Sequence, residues 1–203
     1  MKVVALVCSA RRGGNCEEIA ERVLGILGGR GVETEMVRLI DYDIHPCNRC
    51  DYQCFREEEV CPIEDDVPLI WEKLRRADGV VIATPSYYGF LPATFKAVIE
   101  RAQGILNWVT VEFRDLEAVW RGKPTLVIAV SDGGGEFILQ YLRETLKGAH
   151  IISEHLSYTE LGIPGYLGGL LRLPQASSRV EEMAEKLYER LSASKDLSGD
   201  DDP

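Results

Sequence analysis

The chain is poor in positive charge, in histidine and in long apolar runs. Its 203 residues hold 23 Lys and Arg against 33 Asp and Glu, a formal net charge of −10. Nucleic-acid binding rests on neutralising phosphates with Lys and Arg, so this balance argues against such a partner. Part of the acidity is local, in Asp200, Asp201 and Asp202 of the tail, and reads as a solubilising surface. No stretch reaches the roughly 20 apolar residues of a membrane span. The opening run Val3 to Val7 lacks the cleavage pattern of a secretory leader. These absences indicate a cytoplasmic protein with neither membrane nor nucleic-acid partner. The three histidines, His45, His150 and His155, are scattered. Cysteine is confined too: apart from Cys8 and Cys16, every thiol falls within residues 47–61.

What is present alternates between apolar strands and amphipathic helices. Hydrophobic residues at 45% and charged residues at 28% are globular values, and the length fits one domain. Val3 to Val7 reads as a buried strand. Asn15 then caps a helix with Ile19, Val23, Leu24 and Leu27 at helical spacing, which Gly28, Gly29 and Gly31 end. Strands follow at Thr34–Leu39, Gly79–Thr84, Pro124–Val130 and Ala149–Glu154. Helices are expected from Asp65 or Asp66 onward, from Pro92, over Glu136–Lys147 and over Val180–Leu191. Such alternation predicts an α/β fold: a doubly wound five-stranded parallel sheet of order 2-1-3-4-5 covered on both faces. Residues 1–192 form one domain, with a cysteine-rich loop inserted at 45–63 and a disordered tail at 193–203. Residues 156–174 are rich in Gly and Pro yet apolar. They fit an interface and a connection packed on its own domain equally well.

Ligands of these sheets bind outside the carboxyl ends of the strands, where the order reverses. The loop after the first strand offers Ser9, Arg11, Gly14, Asn15 and Cys16. It ends as neither a Walker loop nor G-x-G-x-x-G, but a helix N-terminus with nearby hydroxyl, amide and guanidinium donors suits a phosphate. The loop after the third strand, Pro85, Ser86, Tyr87, Tyr88 and Gly89, suits the face of a flat aromatic ring, with one tyrosine expected in the core. Ser131, Gly133 and Gly134 after the fourth strand permit close backbone approach. An ordinary turn competes at each loop taken singly. Three such loops on one edge together favour a ligand. Cys47, Cys50, Cys54 and Cys61 are spaced C-x2-C-x3-C-x6-C. Four soft ligands on one loop suit zinc or an iron–sulfur cluster, and reducing surroundings disfavour disulfides.

Three of these segments resemble motifs of NADPH-dependent FMN reductases and related flavodoxin-like proteins. Ser9 to Cys16 is similar to their phosphate loop, Pro85 to Gly89 to their flavin-ring loop, and Lys96 with Glu100 and Arg101 to their helix after that loop. The cysteine loop, running into Asp65 and Asp66, resembles the cluster motif of iron–sulfur flavoproteins. Ala10, Cys16 and Cys8 depart from the usual proline, hydroxyl residue and glycine, and the gaps before Cys61 are long. The resemblance implies FMN on the thirteen loop residues named above and a [4Fe–4S] cluster on Cys47, Cys50, Cys54 and Cys61, with zinc or free thiols as alternatives. It implies electron transfer through the two cofactors, with no side chain named as catalytic. The competing activity is an NAD(P)H-dependent FMN or quinone reductase with structural thiols. A zinc-stapled binding module is a third reading. Expected partners are a redox protein or small electron acceptor and further copies of the chain, as homodimer or homotetramer. Arg49 and Arg56 would offset cluster charge, and Glu100 and Arg101 would form an ion pair. His45 reads as a loop residue, and Trp71, Trp108 and Trp120 as core or interface. Cys16 is either activated by its helix terminus or, the favoured reading, a small lining residue.

Overall fold

A computed structural model of the chain describes residues 1–47, 50, 53, 61–102, 119–162 and 168–198, with side chains of the last helix through Ser194. Five strands, β1 (Lys2–Val7), β2 (Glu33–Arg38), β3 (Gly79–Pro85), β4 (Pro124–Ser131) and β5 (His150–Ser157), pair in parallel in the order β2-β1-β3-β4-β5. The burial gradient explains the order. Strands β3 and β4 are buried at nearly every residue, whereas edge strand β2 leaves Glu33 and Thr34 in water. Continuous apolar runs suit the middle of a sheet covered on both faces, and alternating ones suit its edge.

The helices are α1 (Asn15–Gly28), α2 (Val67–Arg76), α3 (Ala93–Glu100), α4 (Gly135–Thr145), the single turn α5 (Tyr158–Leu161) and α6 (Pro174–Ser198). Side chains alternate across a strand, and this divides the core. Val3, Ala5 and Val7 pack with α1 and α6, while Val4, Leu6 and Cys8 pack with α2, α3 and α4. Trp71 and Trp120 meet edge to face, 6.1 Å between centroids, and the Trp71 indole N–H donates to the Val98 carbonyl at 2.9 Å. Both are core residues. Trp108 lies outside the described residues.

The last helix is longer than its sequence pattern suggests. Ala176, Val180, Ala184, Leu187 and Leu191 make one buried stripe. The small Ala176 is a weak apolar signal, so the pattern becomes legible only at Val180. The helix also runs on to Ser198, across the first residues of the segment where a disordered tail is expected. The described part of 156–174 packs on its own domain: β5 extends to Ser157, Tyr158 is buried, and Leu170 is fully buried in a short 3₁₀ turn.

Gly79 shows how closely α6 is seated. A Cβ there would lie 2.7 Å from Leu191 Cδ2 and 3.2 Å from the Pro124 carbonyl oxygen. The variant G79A is expected to lose about 1–3 kcal/mol through overpacking. Denaturant unfolding measures this, and an unchanged midpoint would mean that α6 does not bear on β3.

Candidate functional site

The loop after β1 is stiffened from beneath. The Cys8 N–H continues the sheet to the Ala83 carbonyl at 2.9 Å. Ser9 is buried, and its Oγ accepts the Arg11 N–H at 3.1 Å. Gly13 takes a positive φ and donates its N–H to Glu17 Oε2 at 2.7 Å. Glu17 also pairs with Arg38, and Arg12 with Asp41. Burial alone would raise the Glu17 carboxyl, but the Gly13 N–H and Arg38 outweigh it and hold the group below its ordinary value. This carboxylate clamp has no motif in sequence, because Arg38 arrives from another strand.

The cap of α1 is Gly14 and not Asn15, and a glycine has no side chain with which to cap. Asn15 turns inward instead. Its Nδ2 donates to Tyr158 Oη and its Oδ1 accepts the Leu170 N–H, each at 3.1 Å. It fastens the chain after β5 to the start of α1. Cys16 and Cys8 are both buried. Burial pushes the Cys16 thiol up to about 12 with Arg11 opposing, and burial also carries Cys8 well above its ordinary value. Its burial favours the reading of Cys16 as a small lining residue.

The loops after β3 and β4 touch. The Ser86 N–H donates to the Val130 carbonyl at 3.1 Å, beyond Pro85, the last residue of β3. Tyr87 and Phe90 exchange backbone hydrogen bonds of 3.0 and 3.1 Å around Tyr88 and Gly89, whose φ values are 54° and 82°. This is a two-residue hairpin with both turn residues left-handed, a conformation uncommon for a tyrosine. The Gly89 N–H donates to Ser86 Oγ at 3.1 Å. Neither tyrosine enters the core, contrary to expectation: Tyr87 is 44% exposed and Tyr88 102%, because the hairpin lifts both from the sheet. Gly134 has φ 78°, and a Cβ on it would lie 2.6 Å from Gly89 Cα. Around Gly133 a Cβ would meet nothing within 4 Å. An apolar cavity of about 300 Å³ opens beside the hairpin, walled by Phe90, Leu91, Phe137 and Tyr141 with Lys96 at its rim.

Ser131 closes β4. It is buried, and its Oγ shares a hydrogen bond with His155 Nε2 at 2.9 Å. His155 Nδ1 faces Glu136 Oε1 at 2.7 Å. The imidazole presses on Gly135, where a Cβ would fall 2.3 Å from His155 Cδ2. A serine, a histidine and a carboxylate thus form one chain at the carboxyl edge. The sequence conceals it, since His155 stands 24 residues from Ser131 with no local motif. The glycine run before Glu136 was its one visible trace.

The cysteine loop is gripped by the end of α3. The Cys47 N–H donates to Glu100 Oε1 at 3.0 Å, and Glu100 also pairs with Lys96. Arg101 pairs with Asp65 and donates from Nη1 to the His45 carbonyl at 3.3 Å. Its Nη2 donates to Cys61 Sγ at 3.4 Å and to the Ile63 carbonyl at 3.3 Å. Glu100 and Arg101 therefore do not pair with each other; successive side chains on a helix point apart. His45 Nε2 lies 3.3 Å from Asp43 Oδ1. Cys54, Arg49 and Arg56 lie outside the described residues. Among the described residues, no three His, Cys, Asp or Glu side chains form a group able to hold a metal ion. Two observations suit a thiolate-bound centre: Cys47, Cys50 and Cys61 are partly exposed soft donors, and the buried Arg101 Nε has no acceptor among the described residues. The edge suits FMN through the helix start after β1, a glycine contact between two loops and an aromatic hairpin.

A doubly wound sheet of this order, with such loops after β1, β3 and β4, defines a flavodoxin-like domain. The chain belongs to the NADPH-dependent FMN reductase family, whose profile matches residues 1–160. That membership supports binding of FMN. It is similar to an iron-sulfur flavoprotein of Methanosarcina thermophila, 38% identical over 102 residues, 50% of this chain and 52% of that protein. The chain thus spans about half the length of that relative. Two iron-sulfur flavoproteins of Archaeoglobus fulgidus extend the match. One is 34% identical over 143 residues, 69% of this chain and 68% of its own length, and the other 27% identical over 199 residues, 97% and 86%. Among solved structures, RosB with a bound riboflavin-phosphate intermediate superposes with TM-score 0.66 at 20% identity, covering 100% of this chain and 88% of its own. An apo NADH:FMN oxidoreductase gives 0.60 at 19%, covering 94% and 89%. At that identity they show the shared fold. Among the described residues no helix is long and apolar enough to cross a membrane.

The contact at Gly134 predicts that G134A weakens FMN binding at least about tenfold, since both its left-handed φ and its Cβ would force the two loops apart. Flavin fluorescence titration of the apoprotein reads this, and wild-type affinity would exclude the loop pair from the site. Cys16 yields a second expectation. At pH 8 a thiol shifted to about 12 leaves on the order of one thiolate in ten thousand, so Cys16 stays unlabelled by a thiol reagent until the apoprotein is unfolded. The unfolded chain releases this proton first, so stability falls as pH rises from 9.0 toward about 12. Rapid labelling of native Cys16, read by mass spectrometry, would contradict this.

Proposed function

We propose that the chain transfers electrons between an FMN at the sheet's carboxyl edge and a [4Fe–4S] cluster held by Cys47, Cys50, Cys54 and Cys61. One observation carries this reading: helix α3 joins the two regions. The aromatic hairpin leads into its start, and Glu100 and Arg101 at its end bind the backbone of Cys47 and the sulfur of Cys61. Eight residues at the helical rise separate the ends by about 12 Å. The iron–sulfur flavoprotein relatives support the same assignment.

Under this reading, Ser9, Arg11, Gly14 and the α1 amides at Asn15 and Cys16 hold the phosphate, with Asn15 positioning the loop. Pro85, Ser86, Tyr87, Tyr88 and Gly89 bear on the ring, and Ser131, Gly133 and Gly134 border its edge. FMN and the cluster supply the electron chemistry and the protein sets their surroundings. The Ser131–His155–Glu136 chain places a hydrogen bond between Oγ and Nε2, with the largely exposed Glu136 linking it to solvent. The proposed partners are a redox protein or small acceptor, NAD(P)H as a candidate donor, and a second copy of the chain in a homodimer or homotetramer. Exposed Tyr88, Phe90 and Phe137 offer an aromatic face for such contacts. The proposed location is the cytoplasm.

The cavity beside the hairpin favours a second reading, an NAD(P)H-dependent FMN or quinone reductase whose thiols bind zinc or remain free. Its apolar walls suit a flat substrate ring. Iron, zinc, acid-labile sulfide and flavin counts on protein purified without oxygen separate the two. The expected result is one FMN with about four iron and four sulfide per chain. Flavin without iron and sulfide would transfer the assignment to the reductase.

A further inference from the structure

We infer that Arg101 is the positioning residue of the cysteine-bound centre: its guanidinium donates to two of the centre's sulfurs and raises the centre's reduction potential. This rests on the electron-transfer reading above. Arg101 is 1% exposed. A buried guanidinium costs several kcal/mol unless its donors and its charge are met. Nη1 is met by Asp65 and the His45 carbonyl, and Nη2 by the Ile63 carbonyl and Cys61 Sγ. Nε alone has no acceptor among the described residues.

The geometry of the fork says where that acceptor belongs. The Nε–H and the adjacent Nη2–H project in parallel from one edge of the planar group, the arrangement that receives two acceptors side by side. Nη2 meets Cys61 Sγ and the Ile63 carbonyl through its two N–H groups. The Nε–H beside it calls for a further acceptor near that sulfur. A second sulfur of a thiolate-bound cluster satisfies it. A neutral thiol accepts hydrogen bonds weakly, so the edge matches anionic sulfur better than protonated cysteine. Asp65 does not consume this capacity, because it also accepts the N–H groups of His45 at 2.9 Å and Val67 at 3.1 Å and stands on the Nη1 side.

An electron entering the centre makes it more negative by one charge. No bond to Arg101 forms or breaks, and the guanidinium keeps its proton throughout. A fixed positive charge with N–H donors to sulfur stabilises the reduced state, a second-shell contribution to potential.

R101K keeps the charge and removes the parallel donors. D65N/R101Q replaces the buried pair with neutral residues of similar shape. Both are prepared without oxygen beside the wild type. Iron, sulfide and FMN are counted, thermal unfolding of each apoprotein is recorded, and cluster and flavin midpoints are measured by redox titration. In R101K the cluster's oxidised-to-reduced equilibrium is expected to shift at least tenfold toward oxidised, about 59 mV lower for one electron. D65N/R101Q is expected to shift further or to lose iron and sulfide on gel filtration. The flavin midpoint stays at the wild-type value. Cluster midpoint and content equal to wild type in both variants overturn this inference alone. A wild-type protein devoid of iron and sulfide overturns the electron-transfer reading together with it.

Discussion

The buried pair of Arg101 and Asp65 is the constraint on which the rest of the molecule turns. One guanidinium, at the end of the helix after β3, reaches the carbonyls of His45 and Ile63 and the sulfur of Cys61. It therefore binds the chain both entering and leaving the inserted loop. Removing one member of such a pair leaves an uncompensated buried charge, typically at 3–5 kcal/mol. The insertion is thereby continuous with the α/β core, and α3 serves two sites from its two ends.

The carboxyl edge is organised by a different device, the interlocking of loops that sequence separates widely. Asn15 reaches Tyr158 and Leu170, Gly134 abuts Gly89, and Ser131 meets His155. The first two contacts join a loop to another loop or to the segment after β5, and the third joins the ends of β4 and β5. The backbone of this edge is thus held largely by contacts within the chain. That economy reduces the ordering cost of binding. The hairpin at Tyr88 is the exception, since a left-handed non-glycine residue is held there by two backbone hydrogen bonds and the Gly89–Ser86 contact.

The elements carrying continuous apolar runs were legible in the sequence: β1, β3 and β4, with the order of the sheet following from the alternation of strand and helix. Elements defined by weak signals were not. The start of α6 hides behind a proline and the small Ala176, and the end of β5 behind polar residues. At the candidate site the residue types were readable but the partnerships were not. Asn15 has the composition of a cap, yet its amide finds buried partners 143 and 155 residues away. Arg49 and Arg56 were the obvious cations for the cysteine loop, being its neighbours in sequence, whereas the cation found against Cys61 lies 40 residues on. Local pattern reports spacing along the chain, and buried electrostatics are settled across it.

Among the described residues, the cysteine sulfurs fall into two populations. Cys8 and Cys16 are sealed in the core beneath the β1 loop, while Cys47, Cys50 and Cys61 sit in a partly open insertion. Peroxide and similar oxidants attack thiolates that are both ionised and reachable. On accessibility alone, damage would begin at the insertion's cysteines and spare the two beneath the sheet's edge.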